Sequence, residues 1–169
     1  FQSADLLSRD LVSLAYEKGV PMGGDLVSAP KGRSPSFVLL ANKEIDGANL
    51  DRIQVVKGWL AADGQTYEKV FNVSVSDQRA IVDNNVAPLI STVKGANYQN
   101  SIGDSQLSVV WTDPQFNPQQ RAFYYARVMQ IPTPRWTAYD QERFNIELPS
   151  EVPKQIQERA YTSPIWYTP

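Results

Sequence analysis

One run, Ala122–Ile131 (AFYYARVMQI), constrains the fold of this chain more than any other stretch. It is rich in aromatic and β-branched residues, and Pro118 and Pro132 flank it, a pattern that is typical of a β-strand. Alternation would place Phe123 and Tyr124 on opposite faces of that strand. Because both faces carry large apolar groups, we expect a central strand with one face in a core and the other at least half covered.

The composition excludes several classes of function. The net charge of −2 gives no electrostatic footprint for nucleic acid, and no apolar run approaches the roughly 20 residues of a membrane span. The chain has no cysteine and no histidine, so a thiol nucleophile and a Ser-His-Asp triad are both impossible within it. Histidine is also the commonest ligand of zinc, iron and copper. We therefore predict no catalytic residue, no metal ligand set and no cofactor in this chain.

The first part of the chain predicts one helix followed by a loop. Ser3 can cap a helix, Leu7 and Leu11 fall at helical spacing, and Gly19 is a stop signal, so we expect a helix over about residues 4–18. A loop rich in proline, glycine and serine should then run to Pro35. The chain opens without a signal-peptide pattern, and we expect it to be a piece of a longer protein.

From Pro35 onward the sequence is patterned almost entirely for strands. Five more runs predict strands: Ser36–Asn42, Arg52–Leu60, Thr66–Val75, Leu107–Thr112 and Ile156–Tyr167. Four prolines between residues 132 and 153 mark a long excursion before the last strand, and Pro164 inside that strand suggests an edge or a bulge. We predict a mainly β, immunoglobulin-like β-sandwich of about seven strands over residues 35–169, with residues 1–34 as a separate helix and loop.

A few residues are candidates for ligand binding. Arg135, Trp136, Tyr139 and Asp140 cluster in the proline-rich excursion, and long loops of this kind are often functional. Arginine beside tryptophan could stack on a sugar ring or an aromatic ligand. We favour the alternative that Trp136 anchors the loop on the sandwich, because large aromatic side chains mostly bury. Asp25, in a Gly-Gly-Asp loop, could hold a phosphate or a metal, but the loop follows a helix C-terminus and a plain loop is favoured.

Several motifs together resemble one family. They are YEKGVPMGGDL, DGANLDRIQVVKGW, WTDPQFNPQQRAFYYARVMQIPTPRW and IQERAYTSPIWYTP. They resemble the C-terminal part of the uncharacterised bacterial family called domain of unknown function 3604, over nearly the full length of the chain. That family is similar to the polymerase-and-histidinol-phosphatase superfamily of metal-dependent phosphoesterases, whose metal ligands are His, Asp and Glu on a distorted barrel.

The resemblance implies a position for this chain within a parent protein. The segments Tyr124–Val128 and Ser163–Trp166 match a closing pattern that ends a C-terminal β-sandwich in proteins of that kind. We therefore expect Arg159–Tyr167 to pair antiparallel with Ala122–Ile131, with Trp166 largely buried. Because this chain has no histidine, the resemblance places any divalent metal in an upstream catalytic domain, and residues 1–34 at the seam with it.

Three functions remain open. The leading expectation is a non-catalytic C-terminal β-sandwich that stabilises or orients the catalytic domain of a metal-dependent hydrolase, in the periplasm or outside the cell. The alternatives are a module that binds glycans or another small ligand, and a domain that supplies loop residues to the parent's active site through Met22–Asp25 or Arg135–Asp140. An exposed, coplanar row of Trp and Tyr would favour the glycan module, and an exposed acidic loop beside the first helix would favour the third function.

Overall fold

The computed structural model describes residues 1–30 and 32–169; Lys31, in the predicted loop before Pro35, lies outside the described residues. The chain is mainly β, which confirms the predicted fold class. The helices are α1 (Leu11–Lys18) and α2 (Trp136–Phe144). The strands are β1 (Asp25–Val27), β2 (Ser36–Asn42), β3 (Leu50–Leu60), β4 (Thr66–Val75), β5 (Ile81–Val82), β6 (Asn85–Val86), β7 (Gln106–Thr112), β8 (Ala122–Gln130), β9 (Thr133–Pro134), β10 (Gln155–Ile156), β11 (Arg159–Tyr161) and β12 (Ile165–Thr168).

The larger sheet holds β1, β12, β8, β3 and β4 in that spatial order, and β11 also pairs with β8. The strand β8 therefore lies inside the sheet, as the apolar groups on both its faces predicted. The strand β4 returns from β3 through a hairpin turn, where the Ala61 N–H donates to the Gln65 carbonyl at 2.9 Å. Gly64 in this turn has a φ of 79°, a value that glycine adopts at little cost.

The smaller sheet consists of β2 and β7, paired antiparallel from Ser36 opposite Thr112 to Asn42 opposite Gln106. Buried residues of both layers form one core: Phe37, Leu50, Ile53, Val55, Phe71, Val73, Leu107, Ala122, Tyr124, Ala126 and Tyr167. The fold is thus a β-sandwich with unequal layers. Two strands cannot cover the whole inner face of the larger sheet, and Leu26 and Ala29 of the N-terminal segment pack against the core beside them.

The closing strand pairs with β8 as predicted. Arg159 lies opposite Met129 in the β11–β8 pair, and Trp166 lies opposite Phe123 in the β12–β8 pair. The single strand predicted there is interrupted between β11 and β12, next to Pro164. Thr162 bridges the break, because its Oγ1 accepts the Ala126 N–H at 2.9 Å and its own N–H donates to the Ala126 carbonyl at 3.0 Å.

The prediction that Trp166 is largely buried is wrong. Its side chain is 49% exposed, whereas its neighbour Tyr167 is 3% exposed. The pairing was predicted correctly, but successive strand residues face opposite sides of a sheet. The register places Tyr167 in the core, where its hydroxyl donates to the Pro118 carbonyl at 2.8 Å, and so Trp166 points to the outer face.

The N-terminal segment differs from the sequence prediction in two ways. The helix expected over residues 4–18 is divided into a 3₁₀-helix (Ser3–Leu7) and α1. Ser8 lies at the break, where its Oγ accepts the Asp10 N–H at 3.2 Å, a local bond that competes with helix continuation. The predicted loop contains β1, which joins the larger sheet parallel to β12. The division into residues 1–34 and 35–169 stays a prediction.

The excursion before the closing strand contains α2, a helix that the sequence analysis did not predict. No proline falls between Arg135 and Leu148, and Asn145 ends the helix in the left-handed conformation at φ 49°. Thr137 and its neighbour Ala138 are the buried residues of α2, and the Thr137 Oγ1 donates to the Pro153 carbonyl at 2.7 Å. The prediction that Trp136 anchors this segment is wrong, because its side chain is 64% exposed.

A small hairpin, formed by β5 and β6, lies against the edge of β4. The strands β5 and β6 are joined by Asp83 and Asn84, which both have positive φ, as in a tight hairpin turn. The Asn84 Oδ1 accepts the Asn72 N–H, and the Asn84 Nδ2 donates to the Val70 carbonyl, both at 2.7 Å. The side chain of Asn84 thus fastens the hairpin to the main chain of β4.

Candidate functional site

Four aromatic side chains lie together on the outer face of the larger sheet, and we name them the aromatic strip: Phe123, Tyr125, Tyr161 and Trp166. The ring centroids of Phe123 and Tyr125 are 6.3 Å apart and their planes differ by 7°. The Phe123 and Trp166 rings are 5.4 Å apart at 55°, and the Tyr125 and Tyr161 rings are 6.2 Å apart at 48°. The strip therefore crosses three strands, β11, β12 and β8.

Gly58 on β3 makes room for the strip. It lies opposite Phe123 in the β3–β8 register, and a Cβ built on it would lie 2.3 Å from the Phe123 Cζ. The phenyl ring therefore lies against the backbone of β3, which only a residue without a side chain allows. The absence of a side chain at Gly58 therefore sets how closely the Phe123 ring approaches the sheet.

The strip is an apolar surface where an antiparallel sheet normally carries polar groups. Trp166 and Tyr161 each expose about half of their side chains, and Phe123 and Tyr125 are half-buried. A contiguous apolar patch of this kind, unlike a single exposed residue, typically marks a site of interaction. The chemistry available there is packing against an apolar surface or stacking on a flat ring.

Asp25 borders the strip. It lies opposite Trp166 in the parallel pairing of β1 and β12, and its side chain is exposed. The alternation of β1 supports this placement, because Leu26 packs against the core while Val27 is exposed. The structure thus brings one predicted ligand residue beside the aromatic strip, where its carboxylate could accept hydrogen bonds from a ligand.

The other predicted ligand residues lie at the far end of β8, roughly 20 Å along the strand from Asp25. They are Arg135, Trp136, Tyr139 and Asp140, at the start of α2. The Arg135 guanidinium lies 6.0 Å from the centre of the Trp136 ring, and Tyr139 is about half exposed. The five predicted residues therefore do not form one site, and a role for either group in a parent's active site stays a prediction.

Among the described residues, the fully buried carboxylates are those of Asp113 and Asp51, and both bond within the fold. The Oδ2 atom of Asp113 accepts hydrogen bonds from the Lys57 Nζ at 2.5 Å and from the Tyr124 hydroxyl at 2.8 Å. Its Oδ1 atom accepts the Gln115 N–H at 2.8 Å. Burial, and then the hydrogen bond to this carboxylate, raise the pKa of Tyr124 well above its usual range. The Tyr124 hydroxyl therefore stays protonated and fixes β8 to the end of β7.

Asp51 holds the second buried carboxylate, and it pairs with Arg79 and with Arg52, the latter at 2.6 Å. Gln157 donates to the same carboxylate at 3.0 Å. These contacts tie the beginning of β3 to the segment after β4 and to the segment before β11. Both buried acids thus serve as structural links between strands.

The described part of the chain carries neither a metal-binding cluster nor a membrane-spanning helix. Within residues 1–30 and 32–169, no group of three or more His, Cys, Asp or Glu side chains is placed to hold a metal ion. Over the same residues, neither α1 nor α2 has the length and apolar character needed to cross a membrane.

A family model matches the chain along its whole length, residues 1–169. The chain belongs to the family described as Protein of unknown function (DUF3604). The match confirms the family that the motifs resembled. No curated protein and no solved structure matches this DUF3604 chain. Because the family description names no activity, the function of the DUF3604 chain has to be argued from its geometry.

Sequence reasoning did not assemble the aromatic strip of this DUF3604 chain, although part of the signal was present. Alternation in β8 predicted that Phe123 and Tyr125 share a face. The contributions of Tyr161 and Trp166 depend on which residues of the closing strand lie opposite β8. A shift of one residue would reverse their faces, and the sequence does not set that register.

Proposed function

We propose that this DUF3604 chain is an accessory, non-catalytic β-sandwich of a larger metal-dependent hydrolase, and that the aromatic strip is its contact with the catalytic part. The observation that carries the proposal is the strip itself, with the half-exposed side chains of Tyr161 and Trp166 on the outer face of the sheet. In this proposal a divalent metal belongs to the catalytic part, since the family resemblance implies histidine ligands and this chain has none.

The geometry of the rings favours a protein surface as the occupant of the strip. A flat sugar or aromatic ligand would be best received by several coplanar rings, but the Trp166 and Tyr161 planes are tilted by 55° and 48° from those of their neighbours. Tilted rings leave grooves that apolar side chains can fill. The N-terminal segment offers a separate apolar surface to a larger protein, because α1 buries none of its residues and Leu7 is 88% exposed.

A second candidate function is the binding of a glycan at the same strip. Two observations favour it: the Phe123 and Tyr125 planes differ by only 7°, and the exposed Asp25 carboxylate lies beside Trp166. Sugars are commonly held by an aromatic face together with a polar group that fixes their orientation. This function requires the strip to be open to solvent in the parent protein.

Hydrogen exchange on the parent protein and on this 169-residue chain would test the accessory role. We expect the peptide over residues 159–168 to exchange more slowly in the parent, because the contact surface is covered there. Replacing both Tyr161 and Trp166 with serine should remove the added protection, and Trp136→Ser, which alters an exposed aromatic outside the strip, should not. Equal exchange in the parent and in the chain alone would refute the accessory contact.

Alanine variants at two of the same positions, Trp166 and Trp136, test the second candidate function. Titration of the chain with a panel of oligosaccharides would then be decisive. Saturable binding that is lost in Trp166→Ala and kept in Trp136→Ala supports a glycan module. Binding that is unaffected by Trp166→Ala would contradict that function.

A further inference from the structure

A large cavity lies on the side of the sheet opposite the aromatic strip. The two-stranded β2–β7 layer leaves part of the inner face of β8 and β12 uncovered, and the N-terminal segment lies over that part incompletely. The space that remains has a volume of about 600 Å³, well within the roughly 300–1,000 Å³ of small-molecule sites. Its floor includes the core residues Phe37, Tyr124 and Tyr167, and its roof includes Leu11 and Ala15 of α1.

The wall of this cavity is mainly apolar, and its charge has one sign. Among the described residues that line it, the charged side chains are those of Lys18 and Arg33, and no carboxylate side chain is among them. Lys18 is already engaged, since its Nζ lies 3.2 Å from the Asp5 carboxylate. Arg33 is exposed and makes no ion pair with any residue that the structure describes. The rim therefore offers one uncommitted cation beside an apolar chamber.

We propose that this cavity binds an amphipathic anion, with an alkyl or acyl chain against the floor and a carboxylate at Arg33. An apolar chain suits such walls best, because each methylene group that it buries makes the free energy of binding more favourable. The anionic head follows from charge complementarity with the guanidinium, which suits a carboxylate because it can donate two parallel hydrogen bonds. This proposal does not rest on the accessory role: of the four residues of the aromatic strip, Tyr125 alone borders the cavity, and Phe123, Tyr161 and Trp166 do not line it.

Binding of straight-chain carboxylates to the 169-residue chain would test the proposal. Octanoate, decanoate and dodecanoate would be titrated by calorimetry below the concentrations at which they form micelles. We expect the affinity to rise about fourfold for each added methylene. Dodecyltrimethylammonium, which has the same chain and the opposite charge, should bind more weakly than dodecanoate. An affinity that does not depend on chain length, or equal binding of the ammonium, would overturn the proposal.

Two variants separate the roles of the head and the chain. Arg33→Gln should lower the affinity for dodecanoate by about two- to fivefold, the range of an exposed ion pair, and leave the increment per methylene unchanged. Arg143→Gln, on the exposed α2 helix, is the matched control and should have no effect. Ala29→Trp fills the cavity from its rim and should abolish binding. Unchanged binding in Ala29→Trp would refute the site.

A measurement on the unmodified chain decides the matter even if Ala29→Trp does not fold. Chemical-shift changes caused by dodecanoate should fall in residues 11–37 and in the core-facing residues Tyr124 and Ala126. The amides of Tyr161 and Trp166 should not respond. Shift changes that are confined to the aromatic strip would show that the amphiphile binds there, and would overturn the assignment to the cavity.

Discussion

Replacing Lys57 with methionine should destabilise the fold substantially, although methionine fits the same space. Lys57 is 4% exposed on β3, and its Nζ donates to Asp113 at 2.5 Å and to the Gln115 carbonyl at 2.8 Å. Methionine removes the positive charge and leaves the Asp113 carboxylate buried. A single charge that is left unpaired in a protein interior is far more costly than a pair, because nothing replaces its lost hydration.

The structure allows a magnitude for this change. Removing one partner of a buried ion pair costs about 3–5 kcal/mol. Asp113 would keep two neutral donors, the Tyr124 hydroxyl and the Gln115 N–H, so we expect the lower end, about 3 kcal/mol of unfolding free energy. Neutralising the carboxylate as well, in Lys57→Met with Asp113→Asn, should recover about 2 kcal/mol, because no unpaired charge remains.

Urea unfolding followed by tryptophan fluorescence would measure these differences. The matched control is Lys69→Met, since Lys69 lies directly opposite Lys57 in the β3–β4 register but makes no ion pair with a described residue. Its Nζ donates to the Gln115 side chain at 2.9 Å in an exposed contact, and it lies 5.2 Å from the centre of the Phe71 ring. That variant should cost no more than about 1 kcal/mol. The reasoning fails if Lys57→Met and Lys69→Met cost the same, or if adding Asp113→Asn to Lys57→Met lowers the stability further.

Three further predictions concern the core and the strip. Above pH 10.0, the ordinary pKa of tyrosine, Tyr124 stays protonated in the folded chain and loses its proton in the unfolded chain. The free energy of unfolding should therefore fall by up to about 1.4 kcal/mol per pH unit above that pH. Urea unfolding at several pH values should show a smaller slope for Tyr124→Phe. Gly58→Ala should cost about 1–3 kcal/mol by overpacking against Phe123. The same change should cost much less when it is made in a Phe123→Ala background, and equal costs in the two backgrounds would contradict the contact. Tyr167→Ala should cost about 3–5 kcal/mol, the range for a core aromatic, and half-exposed Trp166→Ala clearly less; a reversed order in thermal unfolding would refute the assigned register.

The sequence was most informative where local signals agreed with each other. Ser36–Asn42 and Thr66–Val75 were predicted with the bounds that β2 and β4 have, because turn residues flank apolar runs on both sides. Ala122–Ile131 was predicted as an interior strand from the apolar groups on both its faces, and it lies between β3 and β12. These features depend on residues that are close together in the chain, and alternation and turn chemistry describe such features well.

The features that were missed depend on tertiary context. The faces of Tyr161 and Trp166 are fixed by the register with β8, in which Ala160 lies opposite Val128 on the other side of the excursion. Thr162 bonds to Ala126 between the two paired segments, and no local pattern encodes these long-range contacts. The helix α2 depends on the burial of Thr137 and Ala138 against the rest of the fold. The strand β1 is only three residues long, and it exists because β12 offers a free edge. The cavity likewise follows from the unequal size of the two layers.

The hairpin that Asn84 fastens to β4 has a consequence for how the protein behaves at high concentration. An edge strand presents main-chain donors and acceptors that another chain can pair with, which is a common route to aggregation. Here the middle of the β4 edge is already occupied, because the Asn72 N–H and the Val70 carbonyl both bond to the Asn84 amide. The charged residues Glu68 and Lys69 come just before this part of the same strand. At the opposite edge β1 offers only three residues, so neither border of the larger sheet gives a second molecule a long template for strand addition.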